Sequence, residues 1–120
     1  MSTADQHGCP VIRFEIGCTN TERTNAFYTS IFGWSGEVTP MASFLDTHSE
    51  KGVQGHITSL GHEPLHYVTF YIEVDDINAY LLKIGEAGGK KIVGPVPLPD
   101  GKQFAWFTDP DGNMIGLLTA

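Results

Sequence analysis

At 120 residues the chain is long enough to bury a proper core in one domain without metal or disulfide staples. It carries 7 basic residues against 14 acidic ones, a formal net charge of −7, which argues against nucleic acid and anionic membrane as partners because both demand a positive field. No apolar run approaches a membrane span, and the opening MSTADQHGCP lacks the charged start and apolar stretch of a leader. A flexible tail over residues 1–10 of a cytoplasmic protein is therefore expected, with a single domain over 11–120. Cys9 and Cys18 are too few for a disulfide framework and lack CxxC spacing, so reduced thiols are expected.

The first predicted strand is VIRFEIGC, residues 11–18, with Ile12, Phe14, Ile16 and Cys18 on one face and Arg13, Glu15 and Gly17 on the other. TNTE, residues 19–22, fits a capping box in which Thr19 accepts from the helix start and Glu22 reaches back. The helix that follows pairs Phe27 with Ile31 and Tyr28 with Phe32, and Gly33 ends it. Short strands are predicted around Trp34 to Val38, Ala42 to Asp46 and Val53 to Ser59. HEPLH, residues 62–66, has the letters of the zinc motif HExxH. Gly61 before it, Pro64 within it and a strand directly after it deny it the helix that motif needs, so it reads as a linker.

The second such strand is HYVTFYIEV, residues 66–74, with Thr69, Tyr71 and Glu73 opposite Phe70, Ile72 and Val74. Asp75 and Asp76 supply the next cap, and Ile77, Tyr80, Leu81, Ile84 and Ala87 form an apolar stripe closed by Gly88 and Gly89. Strands are predicted at Lys90 to Val93, Phe104 to Thr108 and Asn113 to Leu118, with hairpin turns at Pro99-Asp100-Gly101 and Asp109-Pro110-Asp111-Gly112. The DPDG segment lacks the further oxygens of a calcium loop and is explained as a turn. No Ser or Cys sits in a motif that would activate it. Trp34 and Trp106 are candidates to line a ligand slot, but aromatics at strand positions are more often plain core. RFEIGCTN and TFYIEVDD match in pattern about 56 residues apart, and each half continues with three short strands. The reading is a duplicated βαβββ module, the first over about 11–60 and the second over about 65–120.

FEIGCTNTERTNAFYTSIFGW, VTFYIEVDDINAYLLKIGEAGGKKIVGP and FAWFTDPDGNMIGL together resemble the vicinal oxygen chelate superfamily, which includes glyoxalase I, bleomycin-resistance proteins and extradiol dioxygenases. The resemblance implies an α+β fold in which two βαβββ modules form an open curled-sheet barrel around a small-molecule site. In metal-dependent members, inward His, Gln or Glu residues on the first and last strands of each module hold one divalent cation. By that resemblance the slots here are Arg13, Thr69, Gly116 and a position in VQGHI, where Gln54 and His56 share a face. Arg has no lone pair to give, Thr is a weak ligand and Gly has no side chain. One His falls short of the three or four ligands a zinc or nickel site needs. The expectation is no cofactor, a divalent metal being disfavoured.

What the inward faces carry is polar. Arg13, Gln54, His56, Thr69, Tyr71, Met114 and Leu118 are the candidate ligand-binding residues, with Arg13 gripping an anionic oxygen or else paired with Glu15 or Glu73. The resemblance implies either a metal-free binder of a small polar or anionic molecule, or a glyoxalase-like lyase, isomerase or dioxygenase relative. In an enzyme, Glu73, Glu15 or His56 would move the proton. Sheet edges needing cover and an 11 % aromatic content lead to the expectation of a homodimer.

Overall fold

A computed structural model describes residues 8–40, 42–61 and 63–119. Its elements run β1 (Val11–Gly17), α1 (Thr21–Phe32), β2 (Ser35–Val38), β3 (Ala42–Asp46), β4 (Gln54–Thr58), β5 (Val68–Val74), α2 (Ile77–Glu86), β6 (Lys90–Pro97), β7 (Gln103–Thr108) and β8 (Met114–Thr119). The fold is α+β, and the βαβββ order appears twice, as the patterning requires. The chain divides into two compact units, one spanning Ile12–Phe70 and the other made of the residues from Tyr71 onward with those before Ile12.

In the first unit the strand order is β2-β3-β4-β1. β2, β3 and β4 are antiparallel neighbours, whereas β4 runs parallel to β1. Alternation then divides the sheet into two faces. Phe14, Ile16, Leu45 and Ile57 go to one face and pack with Cys18, Tyr28 and Trp34 into a core in which Ile57 is 0 % exposed. The core also holds a polar pair, since fully buried Ser43 donates its hydroxyl to Asn25 Oδ1 at 2.7 Å.

Two local expectations for α1 need correction. The N-cap is Asn20 rather than Thr19; its side chain accepts from the Arg23 backbone N–H at 2.9 Å. One residue of shift moves Glu22 out of capping-box register, and Thr19 instead accepts from the Arg23 guanidinium at 3.3 Å. The paired apolar residues also divide. Tyr28 stacks on Trp34 with centroids 5.7 Å apart, while Phe27, Ile31 and Phe32 remain more than half exposed.

In the second unit the order is β5-β8-β7-β6, with β5 parallel to β8 and the rest antiparallel. Val74, Ile77, Leu81, Ala105 and Leu117 form its core, and Tyr80, Ile84 and Phe107 pack against it. The helical stripe therefore stops at Ile84, with Ala87 exposed as the C-cap. Asp76 is the N-cap, accepting from Ala79 N–H at 3.2 Å. β6 extends to Pro97, past the Val93 predicted, because register shifts between Lys91 and Val93 and between Val93 and Val96 carry the pairing past Gly94, whose φ is +108°. The Asp109 turn is closed as its residues dictate. Asp109 accepts from the backbone N–H groups of Asp111 and Asn113 and from the Asn113 amide, and Gly112 adopts a φ of +89°.

Residues 1–7 of the expected tail lie outside the described residues. Of the remainder, Cys9 donates to Tyr80 Oη at 3.3 Å and the Pro10 carbonyl accepts from Glu73 N–H at 2.9 Å. Both cysteines are free thiols.

Candidate functional site

The face of the first unit turned away from its core carries the chemistry. The parallel register sets Gln54 opposite Arg13 and His56 opposite Glu15, while β3 sets Phe44 opposite His56. Arg13 Nη1 stands 3.4 Å from His56 Nδ1, and His56 Nε2 stands 2.7 Å from Glu15 Oε1. The Tyr67 hydroxyl donates to Glu15 Oε2 at 2.5 Å. Glu15 is only 3 % exposed. Both of its oxygens accept hydrogen bonds, as a buried carboxylate requires. The Arg13 guanidinium lies 5.7 Å from the centroid of the Phe44 ring, within cation–π range.

Arg13 does not pair with Glu15, one of the two roles that the sequence left open to it. Among the described residues no carboxylate lies within ion-pairing distance of it, because the imidazole of His56 occupies the space between cation and anion. Gln54 is exposed, and its Oε1 accepts from the Thr47 backbone N–H at 2.7 Å, which turns it toward the β3–β4 loop.

Tyr67 was missed. The available signal was Gly17, a glycine inside a strand, with Gly61 in the linker. A Cβ at either would overlap the Tyr67 ring, so both glycines make room for it. Gly17 N–H also donates to the Tyr67 carbonyl at 2.9 Å. HEPLH has no helix after Gly61, and His62 is outside the described residues.

In the second unit the face opposite the core carries Tyr71 and Glu73 from β5, with Met114, Gly116 and Leu118 on β8 and Phe104 and Trp106 on β7. Tyr71 is 5 % exposed and accepts from Trp106 Nε1 at 2.8 Å. Its ring lies across Gly116, its register partner, where a Cβ would overlap it. Trp106 is thus neither a core residue nor a loose aromatic, but part of the polar–aromatic face, 5.6 Å centroid to centroid from Phe104. Glu73 is half-buried opposite Leu118. Thr69, which precedes the second unit on β5, is buried at 5 % exposure.

The metal-ligand slots implied by the resemblance do not suit a cation. Arg13 offers only donors, and Gly116 has no side chain and no room for one. Among the described residues no three His, Cys, Asp or Glu side chains are placed to hold a metal ion.

Two other features stand apart from this network. A hollow of about 430 Å³ at the start of α1 is lined by Thr19, Asn20, Glu22, Thr39 and Ser59 among others, and by none of the candidate residues. Glu22 at its rim opposes an anion that the helix N-terminus would otherwise attract. Ser35 Oγ lies 2.8 Å from His48 Nε2, with Asp46 Oδ1 3.6 Å from Nδ1. The order mimics a hydrolytic triad, yet all three are exposed. The Asp46 oxygen is taken by the His48 backbone N–H at 2.8 Å, so water screens the carboxylate's hold on the ring. The network around Glu15 is the better-built site because its carboxylate is desolvated and held from two sides.

Comparison with known proteins places this geometry in context. The family model for the Glyoxalase/Bleomycin resistance protein/Dioxygenase superfamily matches residues 11–117. A glyoxylase-like domain-containing protein of Didymella fabae is 31% identical over 114 residues, covering 88% of this chain and 89% of its own. The anthracycline biosynthesis protein DnrV of Streptomyces peucetius is 27% identical over 122 residues; the match covers 87% of this chain but only 44% of DnrV, so the chain spans less than half of that relative. Among solved structures, a methylmalonyl-CoA epimerase in complex with methylmalonyl-CoA and an ammonium ion superposes with a TM-score of 0.68 at 16% identity, covering 93% of this chain and 94% of that one. At that identity it is the fold that is shared.

Proposed function

The chain belongs to the glyoxalase/bleomycin resistance protein/dioxygenase superfamily, and on that premise we propose that it binds a small anionic or polar organic molecule at Arg13 without a divalent metal. The observation that carries this reading is the guanidinium itself. It is half-buried, steadied by His56 and Phe44, and meets no carboxylate among the described residues. A charge so placed gains most from an incoming anion. Two similar proteins support this reading: a methylmalonyl-CoA epimerase complexed with its CoA ester, and DnrV, a protein of anthracycline biosynthesis.

A second reading, a glyoxalase-like lyase or isomerase, draws support from Glu15 and His56. A desolvated carboxylate joined to an imidazole beside an anion-holding Arg is a proton-transfer arrangement. His56, only 16% exposed at its side chain, would be the group in reach of substrate.

Calorimetric titration with methylmalonate and lactate tests the first reading. Arg13→Met should keep the fold and weaken binding roughly tenfold to a hundredfold, the worth of a charged hydrogen bond of about 1.5–3 kcal/mol. If neither anion binds the native protein, or Arg13→Met binds them equally well, Arg13 does not hold the ligand. Proton exchange at the carbon alpha to the carboxylate of bound methylmalonate, lost in Glu15→Gln, would favour the enzyme.

We also propose that two copies associate through α1, whose Phe27, Ile31 and Phe32 are 55%, 56% and 55% exposed. Three large apolar side chains on one short helix make a patch that a twofold partner would cover.

A further inference from the structure

His56 stands between a cation and a carboxylate, and its two ring nitrogens cannot be interchanged there. A guanidinium has donors only, so Arg13 Nη1, 3.4 Å from Nδ1, is bonded only if Nδ1 keeps its lone pair. A neutral imidazole with a lone pair on Nδ1 carries its proton on Nε2. That N–H points at Glu15 Oε1, 2.7 Å away, which can only accept when ionised. One tautomer satisfies both contacts. The other sets N–H against N–H at Arg13 and lone pair against carboxylate at Glu15, failing twice.

Glu15 is itself held in place. Tyr67 donates to Oε2 at 2.5 Å, and the imidazole stands 2.7 Å from Oε1. The Tyr67 ring is seated where Gly17 and Gly61 lack side chains, and its carbonyl is tied to Gly17 N–H at 2.9 Å. The phenol therefore approaches Glu15 from a fixed direction. On β3 the residue facing His56 is Phe44, with centroids 6.0 Å apart, which adds packing and no charge.

We infer that Glu15 and Tyr67 are positioning residues that lock His56 in its Nε2–H tautomer, so that the Nδ1 lone pair aims the Arg13 guanidinium at the ligand. Tyr67 orients Glu15, Glu15 selects the tautomer and His56 orients Arg13. The lock rests on the reading of Arg13 as the anion-binding group, but its first half does not depend on any ligand.

Long-range proton–nitrogen NMR on isotope-labelled, ligand-free protein at mildly alkaline pH reads the tautomer directly. The native protein should show His56 as Nε2–H alone, and Glu15→Met should show a mixture of both forms. Tyr67→Phe keeps the ring over Gly17 and Gly61, so it preserves the fold should Glu15→Met fail to fold. It should shift the His56 Nε2–H resonance and weaken methylmalonate binding about tenfold, the loss of one hydrogen bond's alignment. His56→Asn places an amide oxygen where Nδ1 stood. In that background Tyr67→Phe should no longer change affinity, which a merely structural role for Tyr67 would not give. An Nδ1–H or mixed tautomer in the native protein overturns the lock, and so does a Tyr67→Phe spectrum with His56 unmoved. A locked Nε2–H tautomer in a protein that binds neither methylmalonate nor lactate supports the lock and overturns the role given to Arg13.

Discussion

Tyr71 and Gly116 face each other across the parallel β5–β8 pair, and the tyrosine ring fills the room that a side chain at 116 would need. The glycine is not a mere gap in the strand. It lets the phenol reach Trp106 Nε1 at 2.8 Å while Tyr71 stays 5 % exposed. Gly116→Ala should push the ring aside and break that bond, costing ~1–3 kcal/mol as overpacking does. Urea unfolding measures it, and a variant as stable as the native protein would mean that the ring moves freely.

The same crowding bears on metal binding. The purified protein should hold no stoichiometric divalent metal, because, of the ligand slots that the resemblance implies, Arg13 offers only donors and Gly116 has no side chain and no room for one. Elemental analysis returning close to one zinc, nickel, iron or manganese per chain, abolished by His56→Ala, would defeat this.

Asp109 links the turn to pH. The Asn113 side-chain amide beside it, with backbone N–H groups, holds its carboxyl below the usual carboxylate range. A lowered folded value means that the ionised form favours the folded state. The contribution is complete above the ordinary carboxylate value and disappears as pH falls through the depressed one. Because Asp109 is at most half-buried, water screens the interaction and the effect is small. Melting temperatures in an acid series should show Asp109→Ala less stable than the native protein near neutrality. The two should converge in strong acid, and a constant difference throughout would exclude the linkage.

Self-association is checked by mass. Light scattering at micromolar concentration should return twice the 13.1 kDa chain, and Phe27→Asp with Ile31→Asp should return the single chain. A native protein of one chain's mass would leave α1 exposed in solution.

Period-2 alternation in VIRFEIG and VTFYIEV, together with the caps and turn residues, determined the element order and the βαβββ repeat. These signals are local, each set by the backbone's own geometry within a few residues. Alternation likewise sorted Arg13 with Glu15 and Tyr71 with Glu73. What lay beyond it was which neighbour each side chain would meet. Tyr67 stands 52 positions from the carboxylate it bonds, and His56 stands 41 away. Only the pairing of β1 with β4 brings His56 to Glu15, and only the absent side chains of Gly17 and Gly61 admit the Tyr67 ring. Local patterning also could not foresee that Arg13 would meet an imidazole in place of a carboxylate, or that α1 would bury Tyr28 and leave Phe27 exposed. Such choices are made by register and packing between distant segments, where several partners of equal chemistry compete and the shape of the surrounding sheet selects one.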